Sequence, residues 1–392
     1  MKLSIVMPCL NEALTLPVCI GRAKELLATH LIDGEVLISD NGSTDGSQKI
    51  AASLGARVVH CPRRGYGAAL QYGIQQAKGK FIIMGDCDDS YHFDEAYPML
   101  EKLEEGYDIC MGTRLKGKIM PGAMPALNQL LGNPLLTFVG RLFFNIATSD
   151  FHCGLRAFRR DKVMAIGLVT TGMEWASEMV IKSRLNGLRM TEVPVILYKD
   201  GRNRPPHLRR WHDGWRHLRF MLLHAPNWLF VYPGTALVAT ALILGVLLIR
   251  GQVQIGSANL GVHSLLTMAF MAIVGIQVIY AGLFINLYAH LIGLLPITSK
   301  FIERLKKFSL EKFLLAFAGV GLIGLGIFIG NFWGWYSQGY PALDIYVTMR
   351  QVVPALTLMT ISVQGVFNCF MFSILFLKTR NTESTVIKDS LE

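Results

Sequence analysis

The chain has 392 residues, enough for two or three domains, and it is 52% hydrophobic but only 17% charged, against roughly 25% in a soluble protein. That balance excludes a wholly water-facing chain; the apolar excess sits in residues 227–380, while 1–226 read as a soluble domain. The formal net charge of +10 points to anionic partners, namely phosphates, nucleotides or acidic lipid head groups.

From the N-terminus, short apolar runs alternate with helical patterns. Strands are expected at residues 3–7, 35–39, 57–60, 81–84 and 108–111. Helices are expected at 12–29, 44–54, 66–77 and 93–104. This alternation predicts an open sheet of parallel type, whose ligands bind beyond the carboxyl ends of the strands. Residues 127–146 form an apolar helix suited to a membrane interface. Residues 198–219 carry seven Lys or Arg and three His against two Asp, with Trp211 and Trp215 four apart. That stretch reads as an interfacial helix whose cations meet head groups, with Arg202 and Arg204 placed to cover a diphosphate as a lid. Four spans follow, at 228–249, 265–287, 313–332 and 352–377, each near the roughly 20 residues a bilayer requires. Lys300, Arg304, Lys306, Lys307 and Lys312 in the loop after the second span, with Lys378 and Arg380 in the tail, put that loop, the tail and the N-terminal domain in the cytoplasm. The expected domains are thus 1–206 a cytoplasmic α/β domain, 207–226 interfacial, 227–380 transmembrane and 381–392 a cytoplasmic tail.

Seven cysteines without a CxxC pair argue against a disulfide framework or a zinc site and fit a reducing compartment. No secretory signal is legible, because only "LSIVM" separates Lys2 from Pro8. No ionisable residue sits mid-span apart from His290, close to the end of the second span, so a charged transport path is not indicated.

The residues after each strand carry the chemistry. They read "PCLNE", "DNGSTDGS", "CPRRGYGAAL", "GDCDDS" and "GTR". A nicotinamide site is excluded by Pro8 where a GxGxxG turn belongs, and no P-loop is present. Asp86 and Asp88 have D-x-D spacing at a strand end, which suits Mg²⁺ or Mn²⁺ shared with substrate phosphates. Asp89 or Ser90 reads as a cap for the helix that follows. Asp40 can accept from a base or a ribose, or simply close an Asx-turn. Arg63 and Arg64 ahead of a Gly-x-Gly helix start resemble an anion site.

Together "IVMPCLNE", "ISDNGSTDGS", "RRGYGAAL", "GDCDDS", "GTR" and "SDFHCGLRAFRR" resemble family 2 glycosyltransferases of GT-A fold over about residues 1–200. Within that family the chain looks most like polyprenyl-phosphate glycosyltransferases of the dolichyl-phosphate mannose synthase type. The resemblance implies a membrane-bound, metal-dependent, inverting hexosyltransferase using a UDP- or GDP-sugar and a polyprenyl (dolichyl or undecaprenyl) phosphate. It implies that Pro8, Asn11, Glu12, Asp40 and Arg64 hold the nucleotide and that Asp86 and Asp88 hold the metal. Arg114, Arg156 and Arg202 would hold the acceptor phosphate or diphosphate, with Asp150 as the catalytic carboxylate. Where mannose synthases carry a further arginine, this chain has Asn128 and Gln129.

The expected partners are the donor, the lipid acceptor and membrane lipids; nucleic acid is not expected. The spans suit an acceptor chamber, an oligomer contact or lipid handling. The alternative acceptors are another lipid or a growing polysaccharide. The processive reading is lowered because His207 stands where a Gln-x-x-Arg-Trp helix has its glutamine and no Thr-Glu-Asp occurs in "MEWASE". A scaffold with an inactive transferase domain is opposed by the complete Asp86/Asp88 pair.

Overall fold

The computed structural model describes residues 1–202, 210–251, 253–292, 295 and 309–375. Arg204, Lys300, Arg304, Lys306, Lys307, Lys378 and Arg380 lie outside the described residues. The chain divides into two compact units, Met1–His224 and Ala225–Glu392.

The first unit is built on a seven-stranded sheet in the order β3-β2-β1-β4-β6-β5-β7. Its strands are β1 (Leu3–Cys9), β2 (Gly34–Asp40), β3 (Arg57–His60), β4 (Phe81–Met84), β5 (Ile109–Ile119), β6 (Arg156–Arg159) and β7 (Met190–Leu197). Strands β3, β2, β1 and β4 are mutually parallel, so their carboxyl ends share one rim. The sheet is mixed rather than parallel throughout, because β6 runs antiparallel to both β4 and β5. β6 is four residues long and flanked by arginines, so no alternation announces it. β7 carries Pro194, which the edge position tolerates because one side of the strand needs no ladder donor.

The helices are α1 (Leu16–Thr29), α2 (Ser47–Ser53), α3 (Tyr66–Gln76), α4 (Tyr97–Glu104), α5 (Asn133–Phe144), α6 (Arg160–Ala165), α7 (Trp175–Leu185) and α8 (Arg210–Leu223). α1 starts later than its pattern suggests because Asn11, at φ 58°, keeps residues 10–13 in a loop. A tight turn at Phe93–Ala96 precedes α4, which takes Pro98 in its first turn, where a missing N–H costs nothing. The core on one face of the sheet combines Ile5, Met7, Ile38 and Ile83 with Leu16, Ile20, Phe93 and Leu100. From the wide turn Asn128–Gly132 into α5, Leu131, Leu135, Phe138 and Leu142 recur at helical spacing and are 44–59% exposed, so this stretch shows an apolar stripe outward.

The second unit contains α9 (Tyr232–Arg250), the hairpin β8 (Val253–Ile255) and β9 (Ala258–Leu260), α10 (Val262–Leu291), α11 (Leu310–Ser337) and α12 (Ile345–Leu375). With the wide turn Asn227–Val231 added to α9, the four helices are 24 to 31 residues long and apolar enough to cross a membrane. Small residues permit close crossings: a Cβ on Gly234 would meet the Gly275 carbonyl at 2.8 Å. Polar pairs add cross-links, with Asn286 Nδ2 donating to Asn227 Oδ1 at 2.9 Å and Ser362 Oγ to the Phe317 carbonyl at 2.7 Å.

Candidate functional site

The rim formed by β1, β2 and β4 is stitched together before any ligand is considered. Asn11 N donates to Ser43 Oγ at 2.9 Å, and Asn11 Oδ1 accepts from Thr44 N at 2.7 Å. Glu12 N donates to Ser47 Oγ and Ala13 N to Asp45 Oδ2, at 3.0 and 2.9 Å. Asn41 fastens the next loop, accepting from Gly65 N at 2.8 Å and donating to the Arg63 carbonyl at 2.7 Å. These bonds shape a cavity of about 750 Å³. Pro8, Asn11, Glu12 and Arg64 line it, and so do Asp86, Asp88 and Arg202. Those expectations therefore converge in space.

At the cavity floor three carboxylates face one guanidinium. Arg202 Nη2 lies 2.8 Å from Asp88 Oδ2, and Arg202 Nε lies 3.0 Å from Glu12 Oε1. Asp88 Oδ1 also accepts from Ser90 N and Ser90 Oγ, at 3.1 and 2.5 Å. Asp86 is a partner of the Tyr66 hydroxyl, but burial and the neighbouring Asp88 push its pKa up to about 6. A carboxylate held so reluctantly in its charged form is a place where a cation gains. Among the described residues no group of three or more His, Cys, Asp or Glu is arranged to hold a metal alone. The Asp86/Asp88 pair nonetheless fits Mg²⁺ or Mn²⁺, which keep water and take diphosphate oxygens as remaining ligands.

Several expected roles change in the structure. Asp40 is buried and does not line the cavity. Its carboxylate accepts from Gly42 N at 3.1 Å, Ser43 N at 3.2 Å and Gln48 Nε2 at 3.0 Å, so it closes its own turn. Burial works against its charge, but the Ser43, Gln48 and Gly42 hydrogen bonds still hold its pKa below the usual value. The glycines at the start of α3 are required by close protein packing. A Cβ on Gly65, at φ +134°, would lie 2.2 Å from the Thr171 carbonyl, and that same carbonyl accepts from Ala68 N. Asp89 caps no helix; at φ 63° it pairs with Arg22 of α1 at 3.2 Å.

Arg156 is the clearest correction. It is fully buried, with Nε donating to the Cys153 carbonyl at 2.9 Å, Nη1 to Ala176 at 2.7 Å and Nη2 to Phe151 at 3.4 Å. A guanidinium spent on backbone carbonyls organises its loop and cannot reach an acceptor. Asp150 is fully buried too. It accepts from Arg114 Nε and Nη2 at 2.6 and 2.8 Å, and from Arg114 N at 3.1 Å. This fork geometry makes Asp150 the group that fixes Arg114. Gly154, four residues after Asp150, packs against the acidic floor, where an added Cβ would meet Asp86 Oδ2 at 3.0 Å and Tyr91 Cε2 at 3.2 Å.

The sequence did not single out Asn41, Gly42, Thr44, Tyr66 or Met173 as cavity residues, although "DNGST" and "RRGYG" lie at the right strand ends. Two further members, His212 and Arg216, come from α8, and Arg216 Nη2 meets Glu174 Oε2 at 2.7 Å. Nothing in local sequence links α8 to the donor rim. Glu178 is structural: it is buried and receives Val169 N, Thr170 N and the Lys182 ammonium, at 3.0, 2.8 and 2.9 Å.

Comparison with known proteins adds the following. The family described as glycosyl transferase family 2 matches residues 4–167, and the family 2 C-terminal transmembrane region matches residues 283–376. The chain is 36% identical over 376 residues to the low-salt glycan biosynthesis hexosyltransferase Agl6 of Haloferax volcanii, covering 95% of this chain and 89% of that protein. It is 32% identical to the glycosyltransferase AglJ of the same organism, over 50% of this chain and 62% of that protein. It is 29% identical to a dolichyl-phosphate hexose transferase, also of Haloferax volcanii, over 42% of this chain and 72% of that protein.

Proposed function

Because this chain belongs to glycosyl transferase family 2, we propose that it transfers a hexose, with inversion, from a nucleotide sugar to a polyprenyl phosphate at the cytoplasmic face of the membrane. Its α/β GT-A catalytic domain and its four-helix transmembrane region are those of the family. The observation that carries the reading is the cavity floor, where Asp86, Asp88 and Glu12 meet Arg202 beneath a rim bearing Arg64 and Arg216. An alternation of acid and guanidinium of this kind matches a cation-bound diphosphate. The likeness to a dolichyl-phosphate hexose transferase supports the lipid-phosphate acceptor. Seven free thiols and the basic loop after the second span support a cytoplasmic catalytic domain.

In this mechanism the nucleoside packs along Pro8, Asn11 and Asn41. Asp86 and Asp88 would hold a divalent ion, which would supply neutralisation of the diphosphate charge. Arg202 and Arg64 add fixed positive charge where the leaving group develops its own. An acceptor phosphate oxygen attacks the anomeric carbon from the face opposite the diphosphate. The new C–O bond forms as the bond to the nucleoside diphosphate breaks, and that group departs with the electron pair. A phosphate monoester has a second pKa near ~6, so the nucleophile is already anionic at neutral pH. No base is then needed, which agrees with an Asp150 spent on orienting Arg114 toward the acceptor phosphate. The apolar stripe on α5 and the exposed Trp215 of α8 face lipid, bringing a bilayer-borne acceptor to the rim.

The test is purified full-length protein with Mn²⁺ or Mg²⁺, labelled UDP- and GDP-hexoses, and polyprenyl phosphate. Label is expected in a lipid that survives alkali but is released by mild acid. Donor hydrolysis alone, or label only in a lipid lacking phosphate, would overturn the assignment.

A further inference from the structure

The mechanism leaves one buried polar cluster unused. It lies where the loop carrying Asp150 meets α7 and α8. Ser177 of α7 is fully buried, and its hydroxyl sits between two imidazoles. Its Oγ is 2.8 Å from His217 Nδ1 of α8 and 3.3 Å from His152 Nε2 of the loop. The two rings also touch edge to face, with centroids 4.5 Å apart. His152 Nδ1 is out of solvent contact and has no hydrogen-bond partner among the described residues. Burial first, then His217, Arg156 and Arg114, hold the His152 pKa well below the usual range, so the ring is neutral.

A hydroxyl between two imidazoles can donate to one while accepting from the other, so the Ser177 contact couples the orientations of the two rings. Among the described residues the Ser177 contact is the one hydrogen bond made by the His152 ring, and His152 lies two residues from Asp150. At the other end, α8 is tethered to the bilayer. Only His224, Ala225 and Pro226 separate its last residue, Leu223, from the first membrane helix at Asn227, a reach of about 10 Å even when extended. His217 points inward from α8 while Trp215, on the same turn, is 59% exposed.

We propose that His217, Ser177 and His152 form a positioning relay through which the membrane-tethered helix α8 sets the loop that holds Asp150 and, through it, Arg114. The proposal rests on the reading of Asp150 and Arg114 as the acceptor side. The three residues touch neither donor nor acceptor; they decide where the acceptor loop sits.

The experiment uses the full-length protein in lipid nanodiscs. Ser177→Ala, His152→Phe and His217→Phe are each expected to raise KM for polyprenyl phosphate about tenfold, the effect of one lost buried hydrogen bond and its partner. Donor Kd by calorimetry stays within about twofold, because the donor floor is held by other bonds. The double variant His152→Phe/His217→Phe is no worse than either single one, since both cut one relay. His152→Gln, which keeps a nitrogen near the Nε2 position, recovers most of the loss. Losses that multiply, unchanged acceptor KM, or donor Kd that weakens in step with acceptor KM would overturn the relay. A second measurement needs no acceptor. Amide hydrogen exchange across residues 149–155 is expected to quicken in Ser177→Ala and His217→Phe while β4 stays unchanged, and an unaltered loop would refute the relay. If wild-type protein transfers sugar to no polyprenyl phosphate, the acceptor assignment fails and exchange alone judges the relay.

Discussion

Replacing Asp86 by Asn should destroy donor binding yet make the protein more stable. The folded-state pKa of Asp86 is raised from 3.8 to about 6 by burial and by Asp88. A raised carboxylate pKa means that the folded state binds more protons than the unfolded chain between pH 4 and 6. Stability therefore falls as pH climbs through that window, and the full cost is present above it. About two pKa units correspond to about 3 kcal/mol, an upper value because local relaxation softens it. Asparagine fits the same site and carries no charge, so above pH 6 the variant recovers up to that amount. For a unit of this size that is a rise in melting temperature on the order of 5–10 °C. The assay is thermal unfolding of the purified full-length chain in EDTA at pH 7.5 and at pH 4, followed by intrinsic fluorescence. The variant should melt higher at pH 7.5 and together with wild type at pH 4. Added Mn²⁺ with donor should stabilise wild type alone. Equal or lower melting of the variant at pH 7.5 would refute the argument that Asp86 is a strained, cation-seeking carboxylate.

Other outcomes follow from the same geometry. Metal affinity measured by calorimetry should fall about tenfold between pH 7 and pH 5, as Asp86 takes up its proton. Asp150→Asn should keep at least about 1% of the transfer rate if Asp150 only orients Arg114, whereas loss of a base costs more, typically 10²–10⁴-fold; initial rates decide. Arg156→Met leaves the carbonyls of Phe151, Cys153 and Ala176 without a donor, costing about 3 kcal/mol of stability in chemical unfolding, and Arg156→Lys should rescue little of it. Leu135→Ser/Phe138→Ser should lower transfer to polyprenyl phosphate in vesicles about tenfold without changing donor hydrolysis.

Much of the first unit was legible because its signals are local. The apolar runs at β1, β2 and β4 end in polar residues, and parallel pairing brings those ends together. The Asp86/Asp88 pair could be read from its strand end, whereas Glu12 was reached only through the family resemblance. β6 escaped because four residues flanked by arginine show no period, and its antiparallel course depends on long-range pairing. Arg156 misled for the same reason: a charged side chain in a conserved-looking motif reads as ligand-facing, and only tertiary packing reveals three carbonyls around it. Asp40 and Gly65 obeyed the plainer turn and packing explanations. His152, Ser177 and His217 lie on three separate elements, so no spacing in the sequence connects them.

Helix α8 has one more consequence. His212 and Arg216 line the rim cavity, and His217, one residue later, touches His152 of the loop that holds Asp150. Under the proposed relay, an element that lines the cavity, touches that loop and continues in sequence into the first membrane helix makes the bilayer a candidate effector. Changes in lipid charge or thickness that tilt this helix are expected to alter turnover without altering a single catalytic side chain.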